Sequence, residues 1–366
     1  MKPDKNSLHL LHSIMKRFIA IYGGTELTGN ESAFIEDLSY ALFRDTDFVL
    51  VTGGFQSSAN LPSDAVSTDH SVWLAAKKII SENKQFVLND RLETWLPDPN
   101  LDRKEEGIKR FANGRVKELT GKSAQARRFI LVRDVDALIT IKGKKHTTMV
   151  LDFAFATNKP ILPLPFAGGD SFNYWNEDNT LQIKKWFELN DDFIRKLKTV
   201  SVDAITVSEK EHLIKNIINA IHKGIQRRCL ILMAYEPEPD QFYREVVQPA
   251  AEEMGYTPIR IDHEANEGNI LKIYRDRLQD SDIILVDITE ANPNVMYELG
   301  MAHSQNYSTI LFSRKKIDEN ARLQIPFYLT MDSIESSDAT TEAGRRYLAE
   351  RIKVHLAKRR GLVDHN

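Results

Sequence analysis

Apolar runs of strand length alternate with helical stretches in two separate series along this chain of 366 residues. The first series places strands at 18–22, 48–52, 137–141 and 159–163, with a further short strand at 85–88. Between them, 32–43, 72–82 and 149–157 repeat apolar residues at helical spacing. The second series places strands at 229–234, 257–261, 282–287, 309–312 and 325–329, with helices at 241–254, 269–279 and 341–359. Gly255 is placed to end the first of those helices. Such alternation predicts parallel sheets covered by helices on both faces. The expected fold class is α/β, with two doubly wound domains of Rossmann or flavodoxin type. Residues 1–171 would form the first domain and 227–366 the second. The stretch 172–226 has helical pattern at 181–198 and 209–226, so it is expected as a packed helical connector able to transmit strain.

Glycines punctuate the first series at strand ends. Gly23-Gly24-Thr25 follows one strand and Gly53-Gly54 the next, where a tight turn and a phosphate loop are the competing readings. After 137–141 comes Lys142-Gly143-Lys144-Lys145-His146-Thr147-Thr148, which opens a helix. Amide donors, hydroxyls and positive charge collected at a helix start fit an anion, most naturally a nucleotide's phosphates. The plainer reading is an exposed basic loop. Phe166-Ala-Gly-Gly-Asp-Ser171 supplies another glycine turn, and the basic stretch containing Arg110, Arg115, Lys122, Arg127 and Arg128 has a solvated helix face as its default.

In the second series the chemistry gathers at 282–303. Ile283, Ile284, Leu285 and Val286 form a buried strand that ends in Asp287, and open α/β sheets bind ligands at strand carboxyl ends. Asn292-Pro293-Asn294 then starts a helix, with Glu298 in or just after its first turn. There the helix dipole would favour an ionised carboxylate, able to stabilise or attack an oxocarbenium-like sugar carbon. Capping alone explains Glu298 poorly, since the third residue after Asn294 is Tyr297 and after Asn292 is Val295. Asp287, Asn292, Asn294, Tyr297 and Asp262, the last closing the strand at 257–261, are the expected substrate contacts. Asp287 also has a plainer role, satisfying loop amides at a strand end.

Asp-Ile-Thr-x-x-Asn-Pro-Asn-Val-x-Tyr-Glu-Leu-Gly-x-Ala-His resembles the nucleoside 2-deoxyribosyltransferase-like branch of the TIR-related superfamily, over about residues 228–335. That resemblance implies a flavodoxin-like domain that cleaves N-glycosidic bonds of nucleosides or of NAD, with Glu298 as the catalytic carboxylate. The first series resembles the SLOG superfamily of Rossmann-like domains, which includes cytokinin-activating phosphoribohydrolases, DNA-processing proteins and sensors attached to TIR or sirtuin effectors. The matching residues are Gly23-Gly24-Thr25, Gly53-Gly54, Arg127-Arg128, Asp136 to Ile139, Gly143 with Thr147-Thr148, and Lys159-Pro160. Where the phosphoribohydrolases carry Pro-Gly-Gly-x-Gly-Thr-x-x-Glu, this chain lacks the glycine pair and the Glu, which favours ligand binding over hydrolysis. The resemblance implies that Gly23, Gly24, Thr25, Gly53, Gly54, Arg127, Arg128, Gly143, Lys144, Lys145, Thr147 and Thr148 hold a nucleotide or cyclic-nucleotide signal.

Together the two resemblances imply a cytoplasmic homo-oligomeric effector of bacterial antiphage defence, with NAD as substrate rather than cofactor. A metabolic nucleoside glycosidase or 2-deoxyribosyltransferase and a non-catalytic nucleotide sensor are the alternatives. Composition adds limits: 42% apolar and 28% charged is ordinary for a soluble protein, and a formal charge of −3 gives no support for a nucleic-acid partner. One cysteine excludes an intramolecular disulfide and a cysteine-rich metal site, and no metal site is expected. No apolar run approaches membrane-spanning length.

Overall fold

The structure, a computed structural model, describes residues 16–62, 64–102, 107–261, 270–317, 329 and 334–359. It divides into two compact units, residues 16–225 and the chain from Gln226 onward.

In the first unit the chain runs β1 (Phe18–Gly23), α1 (Gly29–Asp45), β2 (Val49–Thr52), β3 (Phe55–Ser57), α2 (Thr68–Glu82), β4 (Leu92–Pro97), β5 (Lys109–Arg110) and β6 (Arg115–Leu119). It continues through α3 (Ala124–Asp134), β7 (Ala137–Ile141), α4 (His146–Ala156), β8 (Ile161–Leu164), α5 (Glu177–Phe187), α6 (Asp191–Thr199) and α7 (Val207–Gly224). Six strands form a parallel sheet in the order β6-β4-β2-β1-β7-β8, and β3 pairs with β5 antiparallel beside it. Alternation along β1 sends Ile19 and Ile21 into one core and Ala20 into another, so both faces of the sheet are covered by apolar side chains. Strand order reverses at β1 and β7, which makes their carboxyl ends the natural ligand crevice.

The expected strand at 85–88 is absent. Phe86 instead packs edge-on against Phe43, residues 88–91 make one helical turn, and the strand begins at Leu92. Residues 172–226 are not a separate connector: Ile183, Phe187, Leu197, Leu213, Ile217 and Ile221 join the same core as Ile19 and Phe34. The stretch 181–198 is two helices, because Glu188 takes a left-handed φ of 48° that ends the first and Asn190 caps the second.

The second unit runs β9 (Arg227–Leu232), α8 (237–253), β10 (Tyr256–Ile259), α9 (Ile270–Gln279), β11 (Ile283–Asp287), α10 (Pro293–Ser304), β12 (Thr309–Ser313), β13 (Ile334–Ser336) and α11 (Glu342–Arg359). A π-helical turn, Tyr243–Val247, interrupts α8 just before Pro249, which has no N–H to continue the ladder. The strands are parallel in the order β10-β9-β11-β12-β13. In chain order this is 2-1-3-4-5, the flavodoxin arrangement, with its crevice at the carboxyl ends of β9 and β11. Cys229, Ile231 and Leu285 face one core while Leu230, Ile284 and Val286 face the other. Of the strand expected at 325–329, residues 325–328 lie outside the described residues, and the fifth described strand is β13. Asp262 and His263 also lie outside them.

The fold class is therefore α/β: two parallel sheets, each flanked by helices, consistent with two Rossmann-like domains. Among the described residues no helix is long and apolar enough to cross a membrane.

Candidate functional sites

In the first unit the predicted residues separate into two groups. The first surrounds the switch point. Gly24 donates its N–H to the Ile141 carbonyl at 2.9 Å, and its own carbonyl accepts from both the N–H and the hydroxyl of Thr68 at 2.9 Å. A Cβ on Gly23 would stand 2.1 Å from the Ile141 oxygen, so only glycine lets β1 and β7 approach there. Gly143 has φ +89° and lies against buried Thr147. The helix starts at this edge are already answered by the chain. Thr28 and Glu31 form a capping box on α1, with Lys142 2.8 Å from Glu31, and the Thr148 N–H at the start of α4 donates to Asp170 at 2.9 Å. Lys144 is exposed and 3.3 Å from Glu26, Lys145 is exposed, and Thr25 is half-buried. Asp170, an acid the sequence offered just after Gly168-Gly169, thus meets one amide of the helix start at the lysine turn.

The second group lies at the carboxyl ends of β2 and β4. Arg127 is 4% exposed, and its guanidinium lies so close to Gly53 that a Cβ there would be 2.3 Å from Nη1. It is no part of a solvated helix face. Among the described residues its one hydrogen bond is a long one, 3.5 Å from Nη1 to the Trp95 carbonyl, and its buried Nε has no acceptor there. No carboxylate among the described residues is within ion-pair reach of it. Burial lowers its pKa. Neighbouring Asp69 accepts from the Phe55 N–H at 2.7 Å, and burial raises its pKa against those donors. Arg110 is clamped by Asp102 at 2.6 and 3.0 Å and reaches the Gly53 carbonyl at 3.2 Å, Arg128 donates to the Tyr22 hydroxyl at 2.9 Å, and the buried Thr52 hydroxyl has no partner among the described residues. Gly54, at φ +66°, lets the turn pass under Phe111. Nothing in the pattern of the basic stretch distinguished buried Arg127 from half-buried Arg110 and Arg128 or exposed Arg115 and Lys122.

In the second unit, Asp287 is buried at the carboxyl end of β11 and both its oxygens are engaged. One accepts from the N–H and hydroxyl of Thr289, the other from Arg314 Nε at 2.6 Å. Asn292 caps α10 by accepting from the Asn294 and Val295 N–H groups at 3.0 and 3.4 Å. Asn294 and Tyr297 are exposed. Glu298 is the sixth residue of α10, beyond the first turn, so the helix-end stabilisation of its ionised form does not reach it. The expectation of a firmly ionised carboxylate is corrected accordingly: burial pushes the Glu298 carboxyl up to about 7. Fully buried Tyr274 donates its hydroxyl to the Glu298 main-chain carbonyl at 2.5 Å, which ties this turn of α10 to α9. A carboxyl that changes charge near neutral pH can serve as general acid or base. Burial also raises the Cys229 thiol, leaving it unreactive. Among the described residues no His, Cys, Asp and Glu cluster could hold a metal.

No family model matches the sequence, and no curated protein matches it. Solved structures with a similar fold include a structural-genomics target, TM1055 (19% identity, 54% of this chain and 98% of that one, TM-score 0.33). A molybdenum cofactor binding protein from Rippkaea orientalis is 17% identical over 56% of this chain and 98% of its own, with TM-score 0.33. DNA processing protein A from Helicobacter pylori, whose structure concerns single-stranded DNA binding, is 15% identical over 59% of this chain and 84% of its own, with TM-score 0.31. The fold follows from the strand order itself.

Proposed function

We propose that the second unit cleaves an N-glycosidic bond of a nucleoside or nucleotide, with Glu298 as its acid–base or nucleophilic carboxyl, and that the first unit binds a nucleotide signal that controls it. The observation that carries the catalytic half is Glu298 itself: a half-buried carboxyl held near pH 7, on the helix that follows the central strand of a flavodoxin-ordered sheet. For the sensing half, Arg127 supports a ligand reading. A buried guanidinium with no ion pair among the described residues is expensive, and a phosphate beside Gly53 would supply both charge and acceptors. NAD as substrate, assembly into a homo-oligomer and a setting in antiphage defence belong to the same proposal on the strength of the resemblance.

Asp287 favours a second reading of the chemistry. With both its oxygens committed, Asp287 is not free to act as the second carboxyl that glycosidases generally use, which fits a transferase using Glu298 as nucleophile. Incubating the purified protein with NAD, nucleoside monophosphates and deoxynucleosides, with and without an acceptor base, and identifying the products separates the readings. Release of base that is lost in Glu298→Gln supports the proposal. No release from any of them, under any added nucleotide, defeats it.

A further inference from the structure

The carboxyl end of β12 carries three consecutive cations, Arg314-Lys315-Lys316. Arg314 is 5% exposed and spans two carboxylates of opposite character: Asp287, buried, at 2.6 Å, and Glu238, whose side chain is 71% exposed. Lys315 pairs with another exposed acid, Glu290, at 2.7 Å, and Lys316 is exposed. Asp287 therefore acts as the permanent counter-ion that keeps Arg314 charged and oriented, while Glu238 and Glu290 occupy positions they can leave. The Lys315–Glu290 pair is exposed on both sides, and such pairs contribute about 0–1 kcal/mol; Glu238 meets the buried Arg314 from an exposed position, so exchanging either acid for another anion leaves no acid buried and uncompensated. An Arg–phosphate contact is charge-assisted and can be bidentate, which makes it the stronger of the two. Backbone amides offer little competition. The start of α8, where a phosphate loop would present N–H groups, has Pro237 and Pro239, which have none.

We infer that Arg314, assisted by Lys315 and Lys316, is a phosphate-binding subsite of the second unit, with Glu238 and Glu290 as placeholders that a phosphoryl group displaces. The inference builds on the proposed glycosidic chemistry and narrows its substrate: the unit takes a nucleotide, a mononucleotide or dinucleotide, in preference to a free nucleoside.

The test measures binding of 5′-AMP, adenosine and inorganic phosphate to the full-length protein by calorimetry, so its outcome does not depend on turnover. Wild type is expected to bind 5′-AMP at least tenfold more tightly than adenosine, with inorganic phosphate competing. Arg314→Lys should remove most of that preference while thermal melting stays cooperative, and Glu238→Gln with Glu290→Gln should tighten 5′-AMP several-fold without changing adenosine. Equal affinity for 5′-AMP and adenosine, or a preference indifferent to both sets of substitutions, overturns the inference. If the preference holds and depends on Arg314 while no base is ever released, the subsite stands and the catalytic reading alone fails.

Discussion

Among the buried arginines near strand carboxyl ends, Arg127 of the first unit and Arg314 of the second differ in what surrounds them. Arg314 is raised in pKa: burial by itself would lower it, but Asp287 and Glu238 outweigh that penalty. Arg127 is lowered by burial, with Asp69 too far for an ion pair, and its Nε has no acceptor. A paired buried charge can be explained by architecture alone. An unpaired one is a cost that the fold carries without recovering it internally, and such costs concentrate where a ligand completes the site.

The contrast predicts opposite responses to the same substitution. Arg314→Met would leave Asp287 buried without its counter-ion, and breaking a buried pair from one side costs about 3–5 kcal/mol. The second unit should show that loss in chemical denaturation. Arg127→Met removes a buried charge that forms no ion pair among the described residues, so the first unit should gain about 1–2 kcal/mol, of the order seen when buried ions are replaced by apolar side chains. The same change should abolish nucleotide binding to that unit. A loss of stability at Arg127→Met would mean that the chain already satisfies this guanidinium and that the contrast between the two arginines is false.

Glu298 gives the next effect. Its folded value of about 7 lies above the ordinary 4.5, so the folded chain holds a proton there that the unfolded chain has released between those pH values. Its contribution to stability is full below about 4.5 and is lost as pH rises to about 7, at about 1.4 kcal/mol per unit or some 3 kcal/mol in all. Glu335 runs the other way. It too is buried, yet Arg351, His355 and Tyr347 hold it down at about 2, so its contribution is present above 4.5 and fades as pH falls toward 2. Glu298→Gln should therefore stabilise the second unit at pH 8 while reducing base release by about 10²-fold or more. In wild type, a rate that falls above pH 7 identifies a general acid, and one that rises through pH 7 a nucleophile or general base. Melting curves of the Gln variant and wild type that stay parallel from pH 5 to 8 would deny that burial perturbs this carboxyl.

How much of this the sequence disclosed follows from range. Period-two and apolar patterning are local, so β1, β2, β7, β9, β11 and β12 could be read directly, and with them the glycine turns and Asp287 at its strand end. The strand at 85–88 failed because Phe86 was drawn into tertiary packing against Phe43, a contact that no local pattern contains. Long-range electrostatics were likewise hidden. The Arg314–Asp287 pair spans 27 positions and the Thr148–Asp170 contact 22, so the sequence displayed the cations and acids without their assignments. Helix-dipole reasoning gave the wrong direction for Glu298 because it counted position along a helix and could not count burial.

The smallest effect probes the lysine turn, where the first unit answers its own helix start. Asp170→Ala frees the Thr148 amide, and losing a capping acceptor costs about 1 kcal/mol. If Asp170 is a structural cap only, thermal stability falls by that amount and inorganic phosphate does not restore it. If the turn also accepts phosphate, the variant should be restabilised as phosphate is added, because a ligand that binds only the folded state raises stability by mass action. Lys144→Glu with Lys145→Glu in the same background should cancel the rescue, since the approaching anion would then meet like charge. A rescue that survives those two substitutions would place the phosphate elsewhere, with Arg127 the next residue to change.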